Sequence, residues 1–324
     1  MSRRPSRGAA LLSALLIMTL VATFSVAALW QQWQQVEIES AERGHNQAAW
    51  LMTGALDWTR LILREDALSA QSGGSDHLGE PWAVPVLESR LSTFLAQDRQ
   101  ERQGDPEVFL SGVIVDAQSR LNASSLWEDG QISPAARASW TRLFELLGLP
   151  AAELNTLLMQ WALLEQGSAG SDTRPGQAPE RALRPQNTAQ LVWLGLSPAT
   201  VRELEPYVTV LPEATPVNLN TAPEMVLRAC LGGLDAQGAQ QFIARRSRTP
   251  PNTLEDARQA LGPAGQRIEE KRHAIRSSYF EVTGRLRIDD KVQQERALLK
   301  RENGQVRMIW RKRTHGLDPV PTLK

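Results

Sequence analysis

The chain has 324 residues, 36 basic and 36 acidic, for a formal net charge of zero. That length leaves room for about two domains, each able to bury a core, and the neutral balance gives no general preference for nucleic acid or an anionic membrane surface. Its one cysteine excludes an intramolecular disulfide framework and a cluster of thiolate metal ligands. This residue, Cys230, sits in the apolar run Val226–Leu231, where a buried, inert thiol is expected.

Ala9 to Trp30 is a stretch of 22 residues without a charge. At the helical rise it reaches roughly 33 Å, enough for a hydrocarbon core of about 30 Å. Arg3, Arg4 and Arg7 precede it and Glu37 and Glu39 follow, so the positive-inside bias predicts a cytoplasmic N-terminus. A cleaved secretory signal at Ser25-Val26-Ala27 is disfavoured, because the apolar run passes through that site into Leu29-Trp30. A signal anchor and a prepilin leader remain. Arg7-Gly8 before Ala9-Ala10-Leu11-Leu12 resembles the site where prepilin peptidases cut, after the glycine and on the cytoplasmic side.

Helical spacing continues beyond the span through Trp33, Val36, Ala41, Ala48, Leu51, Ala55, Trp58 and Ile62, and no proline intervenes before Pro81. One helix is therefore predicted from Ala9 to near Leu68. Gly44 and Gly54 weaken it, by about 1 kcal/mol each relative to alanine. Ser69–Ser75 ends the helix, and a loop with Pro81, Trp82 and Pro85 follows. Strands are expected over Arg90–Ala96 and Val108–Leu121, with a turn at Asp116–Ser119.

From Ser133-Pro134 the period becomes helical, with Ser133 as N-cap. Trp140, Leu143, Phe144, Leu147 and then Leu154, Leu157, Leu158, Trp161, Leu164 mark two helices broken at Gly148-Leu149-Pro150. A mobile loop is expected over Gln166–Asn187, then a helical pair over Leu191–Tyr207 capped at Ser197. Pro216-Val217-Asn218-Leu219-Asn220-Thr221-Ala222 leads into a helix ending at Cys230, a Gly232-Gly233 turn and a helix to Arg246. This arrangement resembles a helix-hairpin-helix or SAM-like unit. Such hairpins, when they bind DNA, aim backbone amides at a phosphate, but here Asp235 puts a carboxylate about where the anion would lie. Arg245, Arg246 and Arg248 read either as a phosphate footprint or as a solvated helix end.

Phe280, Val282, Leu286 and Ile288 alternate with Glu281, Thr283, Arg285 and Arg287, the pattern of a half-buried strand, and Asp289-Asp290 is read as a turn cap. A hairpin with a type I′ turn is predicted at Asn303-Gly304, between Ala297–Leu299 and Val306–Trp310. Strands on both sides of a helical block predict an α+β fold: one sheet packed on the outer part of the first helix and interrupted by an inserted all-α domain.

In addition to the leader, three stretches carry a family resemblance: Leu78–Pro85, Ile114–Asn122 and Pro216–Ala222. With them the chain resembles, over nearly its whole length, the K-class minor pseudopilins of type II secretion systems. The resemblance implies a pilin-like fold with a SAM-like, helix-hairpin-helix-like insertion. The parts would be a prepilin leader (1–8), a transmembrane helix (9–30), a first part of the head (31–121), the inserted domain (122–276) and a second part of the head (277–324). It further implies cleavage between Gly8 and Ala9 by a prepilin peptidase, with Ala9 as the N-methylated terminus. The implied location is the bacterial inner membrane, crossed once, with the head in the periplasm. The implied partners are the I- and J-class minor pseudopilins and other pseudopilins, in a complex that initiates and caps the pseudopilus assisting export of folded proteins. Most pilin-like chains carry glutamate at the fifth position after the cut; Ser13 stands there, as is typical of the K class. A subunit with no predecessor in the fibre has no ammonium to neutralise.

The alternative outside this class is an envelope-anchored DNA-binding receptor using the helix-hairpin-helix; the balance of charge and Asp235 argue against nucleic acid. No enzyme is expected. His45, His77, His273 and His315 show no metal-ligand spacing, and there is no phosphate loop or nucleophile elbow. Calcium is the cofactor kept open, with Asp76, Glu80, Asp105, Asp116, Glu128 and Asp129 as candidate oxygen ligands in loops, although nothing follows the twelve-residue calcium loop.

Overall fold

The computed structural model describes residues 7–68, 74–91, 107–169, 183–288 and 291–314. The chain divides into two compact units, Met1–Gly54 and Ala55–Lys324. Helix α1, Arg7–Leu68, is unbroken over its 62 residues, through both Gly44 and Gly54. It contains an 18-residue window of mean hydropathy 2.3 with none of it buried, so it is long and apolar enough to cross a membrane. The hydroxyls in this stretch turn back on their own helix. Ser13 Oγ donates to the Ala10 carbonyl at 3.0 Å, Thr19 to Leu16 at 2.9 Å, Thr23 to Leu20 at 2.8 Å and Ser25 to Val21 at 2.8 Å. Each polar side chain is thus satisfied without water, as a hydrocarbon environment requires.

The second unit holds a five-stranded antiparallel sheet in the order β1 (Val86–Arg90), β2 (Val108–Asp116), β9 (Tyr279–Ile288), β10 (Lys291–Glu302), β11 (Gln305–Thr314). The strand expected at Arg90–Ala96 lies earlier, directly after Pro85, and residues 92–96 fall outside the described residues. Its register shifts between Val86 and Ser89, which breaks the alternation that would have located it. Strand β2 stops at Asp116 rather than Leu121, because the Asp116 side chain accepts a hydrogen bond from Gln118 N and turns the chain into a 3-10 segment over Ala117–Ser119. The hairpin forms as read: Asn303 and Gly304 have φ of 52° and 70°, the left-handed pair of a type I′ turn between the partners Glu302 and Gln305. Asp289-Asp290 lies outside the described residues.

Strands β2 and β9 are neighbours, paired from Val108 with Ile288 to Asp116 with Phe280, yet the helical block lies between them in sequence. This block contains α2 (Pro134–Leu147), α3 (Ala151–Ala169), α4 (Pro198–Leu204), α5 (Glu224–Cys230), α6 (Ala236–Arg246) and α7 (Leu254–Leu261). Ser133 and Ser197 cap α2 and α4 through the amides of Ala136 and Thr200, as their sequence positions predict. Gly148, at φ 65°, ends α2. Helix α3 runs past Gln166 to Ala169, and residues 170–182 of the expected loop are outside the described residues. Trp140, Leu143, Phe144, Leu157, Trp161, Leu227 and Phe242 form the buried centre of this block. Short parallel ladders close its base: β3 (Leu121–Asn122) with β6 (Val208–Thr209), and β7 (Val217–Asn218) with β8 (His273–Ala274). A small antiparallel pair, β4 (Trp127–Glu128) and β5 (Gln131–Ile132), sits beside it.

Both faces of the sheet are covered. On one, Leu56 and Leu63 of α1 pack with Trp82, Ile114, Phe280, Val282, Ala297, Leu299 and Val306. On the other, Ala117 and Leu211 meet Tyr279 and Leu298. The half-buried reading of β9 is therefore corrected: Glu281 and Thr283, expected at the surface, are buried, because the helical block lies over them. Phe280 is fully buried on the α1 face, with its ring set edge-on to Trp82 at 5.2 Å and 72°. Phe280→Ala is expected to cost about 3–5 kcal/mol. Urea denaturation of the full chain in detergent, followed by circular dichroism, should show that loss in the midpoint.

Candidate functional site

Two of the three stretches singled out in the sequence, Ile114–Asn122 and Pro216–Ala222, meet at one buried polar junction where the helical block leaves and rejoins the sheet. Asp116, the last residue of β2, receives Thr221 Oγ1 at 2.6 Å, Ser277 Oγ at 2.6 Å and Asn218 Nδ2 at 2.9 Å on Oδ2, and Gln118 N at 2.7 Å on Oδ1. Asn218 Nδ2 also lies 3.1 Å from the Asp76 carbonyl and 3.0 Å from Ser277 Oγ. Gln118 Oε1 accepts from Ser278 N at 2.6 Å, and Asn122 Oδ1 from Leu211 N at 3.1 Å. Burial raises the Asp116 carboxyl to about 6, against the opposing pull of these donors. The groups named here are turned inward and bonded to one another, so the junction is architecture.

Beside it, Asp66, Asp76 and Glu80 bring ligand-type oxygens within 4.8 Å of one another. Sequence reading placed Asp76 and Glu80 among the calcium candidates but missed Asp66, because it lies in the last turn of α1 and not in a loop. Asp76 Oδ2 accepts from Ser277 N at 2.7 Å. Glu80 Oε2 accepts from His77 N at 2.9 Å and from Trp82 Nε1 at 2.7 Å, while Oε1, fully buried, has no hydrogen-bond partner among the described residues. Arg301, from β10, reaches into this group. Its Nη1 donates to Asp66 Oδ2 at 3.0 Å and to the Leu63 carbonyl at 3.3 Å, and its Nη2 to the Ser277 carbonyl at 3.0 Å and to Asp76 Oδ1. Burial pushes the Glu80 carboxyl up to about 7; burial and then the Asp76 charge raise Asp66; burial lowers His77.

The other candidates do not join this cluster. Asp116 touches it only through Ser277 and Asn218. Glu128 and Asp129 stand at the β4–β5 turn, where both face Lys271, and that lysine lowers the Glu128 carboxyl. Asp105 lies outside the described residues. A calcium ion takes six to eight oxygens, and most of the carboxylate oxygens of this cluster already accept hydrogen bonds from the protein. Arg301 already holds one oxygen of Asp66 and one of Asp76, Ser277 N holds the other Asp76 oxygen, and Glu80 Oε2 is taken twice.

The hairpin of α5 and α6 forms around Gly233, at φ 87°. Asp235 is the N-cap of α6, its Oδ1 accepting from Gly238 N at 2.7 Å, so the amide that a phosphate would seek is already bonded to a carboxylate. Arg246 is buried and donates to the Leu219 carbonyl, which removes it from the expected basic footprint. Cys230 is buried as expected, its thiol pushed up to about 12 by burial.

Two family models, both described as type II secretion system (T2SS), protein K, match residues 119–213 and 217–276. A type II secretion system protein K from Pseudomonas aeruginosa is 28% identical over 99% of this chain and 96% of its own length. The corresponding protein K from Pectobacterium carotovorum is 22% identical over 95% of this chain and 97% of its own. The fold matches a chain in the crystal structure of the GspK-GspI-GspJ complex from the enterotoxigenic Escherichia coli type 2 secretion system. The TM-score is 0.62 at 15% identity, covering 85% of this chain and 99% of that one.

Glu80 gives this region a pH signature. Its carboxyl binds a proton more tightly folded than unfolded, so its contribution to stability is largest at acid pH and falls as pH rises from about 4.5 to about 7. Glu80→Gln cannot ionise and keeps an oxygen for His77 N and Trp82 Nε1. The melting temperature of the variant should therefore gain on the wild type between about pH 5 and about pH 8; parallel profiles would show that Glu80 does not titrate there.

Proposed function

Because the chain belongs to the type II secretion system protein K family, we propose that this minor pseudopilin initiates and caps the periplasmic pseudopilus that assists export of folded proteins. It acts as a structural subunit and not as an enzyme. The observation that carries the reading is the joining, in one chain, of a membrane-length apolar helix to a sheet split between adjacent strands by a bulky helical block. The block, residues 122–276, is read as a SAM-like, helix-hairpin-helix-like domain on the strength of α5, its glycine turn and α6. A head enlarged in this way obstructs stacking of another copy above it, which suits the membrane-distal end of a fibre. Ser13 supports the same place, since its hydroxyl is satisfied by the Ala10 carbonyl and it brings no carboxylate to meet a predecessor's ammonium.

Its partners are the I- and J-class minor pseudopilins, by analogy with the E. coli complex. Apolar side chains on α1 are available to such helices: Trp50 in the first unit is 78% exposed, and Leu61 and Leu68 in the second are also exposed. The three arginines before the span support a cytoplasmic N-terminus, with the head in the periplasm across the inner membrane. A prepilin peptidase removes residues 1–8, and Ala9 is then N-methylated.

Mass spectrometry of the mature N-terminus tests the processing. A chain beginning at Ala9 is expected, and one beginning at Met1 or Ala28 would sink it. Native-membrane pull-down tests the assembly: the I and J subunits should co-purify in equal amounts with this chain. Labelled copies distributed along the fibre shaft, in place of one at the tip, would overturn the capping role.

A further inference from the structure

We propose that Arg301 is the resident cation of the Asp66–Asp76–Glu80 cluster, so that this part of the head is fastened by a guanidinium where a calcium ion would otherwise bind. The arginine is fixed from several directions. Its two terminal nitrogens divide between Asp66, Asp76 and the carbonyls of Leu63 and Ser277, and its Cζ lies 4.8 Å from the centroid of the Phe280 ring. The side chain is only 11% exposed, and those of Asp66 and Asp76 are 7% and 4% exposed. A buried carboxylate pair needs a counter-charge with directed donors, and the planar fork of arginine supplies one for each acid. A divalent ion placed among the same oxygens would have to displace the guanidinium or sit against it, and like charges at that range repel strongly in a poorly solvated site.

The arginine also chooses what is joined. Asp66 and Leu63 belong to the last turns of α1, Asp76 to the loop after it, Ser277 to the return of the chain from the helical block, and Arg301 to β10. One side chain therefore ties three other segments to β10, segments that a calcium ion would otherwise have had to collect through their oxygens. Glu80 completes the wall of the cluster. Its buried Oε1 lies outside the arginine's bonds and is the oxygen most ready to take a metal if the guanidinium is withdrawn.

The test uses the full chain in detergent, melted in calcium and in a chelator, with terbium as an optical probe. Trp82 lies in direct contact with Glu80 and can sensitise terbium bound there. The wild type is expected to show no calcium-induced rise in melting temperature, and no terbium luminescence, that Glu80→Gln removes. Arg301→Met keeps the stem and deletes the charge. It should melt several degrees lower in chelator, recover much of that loss in calcium, and acquire terbium luminescence that the added change Glu80→Gln abolishes. A wild-type response to either ion that disappears in Glu80→Gln would overturn the proposal. So would a folded Arg301→Met chain indifferent to calcium. If Arg301→Met does not fold, the wild-type comparison with Glu80→Gln decides alone.

Discussion

Strands β2 and β9 lie side by side, but a long helical block separates them in sequence, so the chain must leave and re-enter the sheet at one place without exposing its backbone. The exit is Asp116 and the return is Ser277. Two chain crossings at the edge of two cores bring many amides and carbonyls out of water, and each one left unpaired would cost about 1–3 kcal/mol. Short polar side chains solve this where larger ones could not fit. Asn218, Thr221 and Ser277 each lie within bonding distance of Asp116, and Gln118 and Asn122 accept from the amides of Ser278 and Leu211. The motifs in Ile114–Asn122 and Pro216–Ala222 are therefore requirements of the crossing.

The crossing also positions the helical block on the sheet. Ala117 and Leu211 supply a small apolar contact to Tyr279 and Leu298, and an ionic group centred on Glu281 lies on the same face. Glu281 is buried between Arg120, at 3.1 Å, and Arg296. Burial alone would raise this carboxyl; the two guanidiniums more than offset it, and its pKa is lowered. Such pairs contribute little net stability once desolvation is counted, but breaking one leaves a buried charge. Arg296 and Glu281 are both in the sheet, so it is Arg120 that ties the chain leaving the sheet to β9 by a directed bond.

Much of this was legible because it is local. Helix spans, the Ser133 and Ser197 caps, the Gly148 stop and the Asn303-Gly304 turn depend on residues within a few positions of one another. The order of strands, helices and strands follows from the change of hydrophobic period. What remained hidden depends on contacts far apart in sequence. Glu281 and Thr283 look solvent-facing by alternation, and only the helical block folded over them makes them buried. Arg301 is one charge among many in a strand, with nothing nearby to distinguish it from Arg296 or Lys300. Asp66 is in a helix, where a search for loop carboxylates does not look. The displaced strand β1 shows a further limit, since a bulge removes the period-two signal.

The end of α1 is held by directed bonds as well as by its apolar face. Leu56 and Leu63 bury the helix against the sheet, but apolar contact is roughly proportional to area and changes little when a helix slips or rotates by a small amount. Hydrogen bonds change steeply with distance and angle. Arg60 donates through Nε to the Val306 carbonyl at 3.0 Å, and Arg301 bonds the Leu63 carbonyl and the Asp66 carboxylate. Two of these contacts reach from opposite directions, one from helix to strand and one from strand to helix, so neither a screw motion nor a translation of the last turns can preserve both.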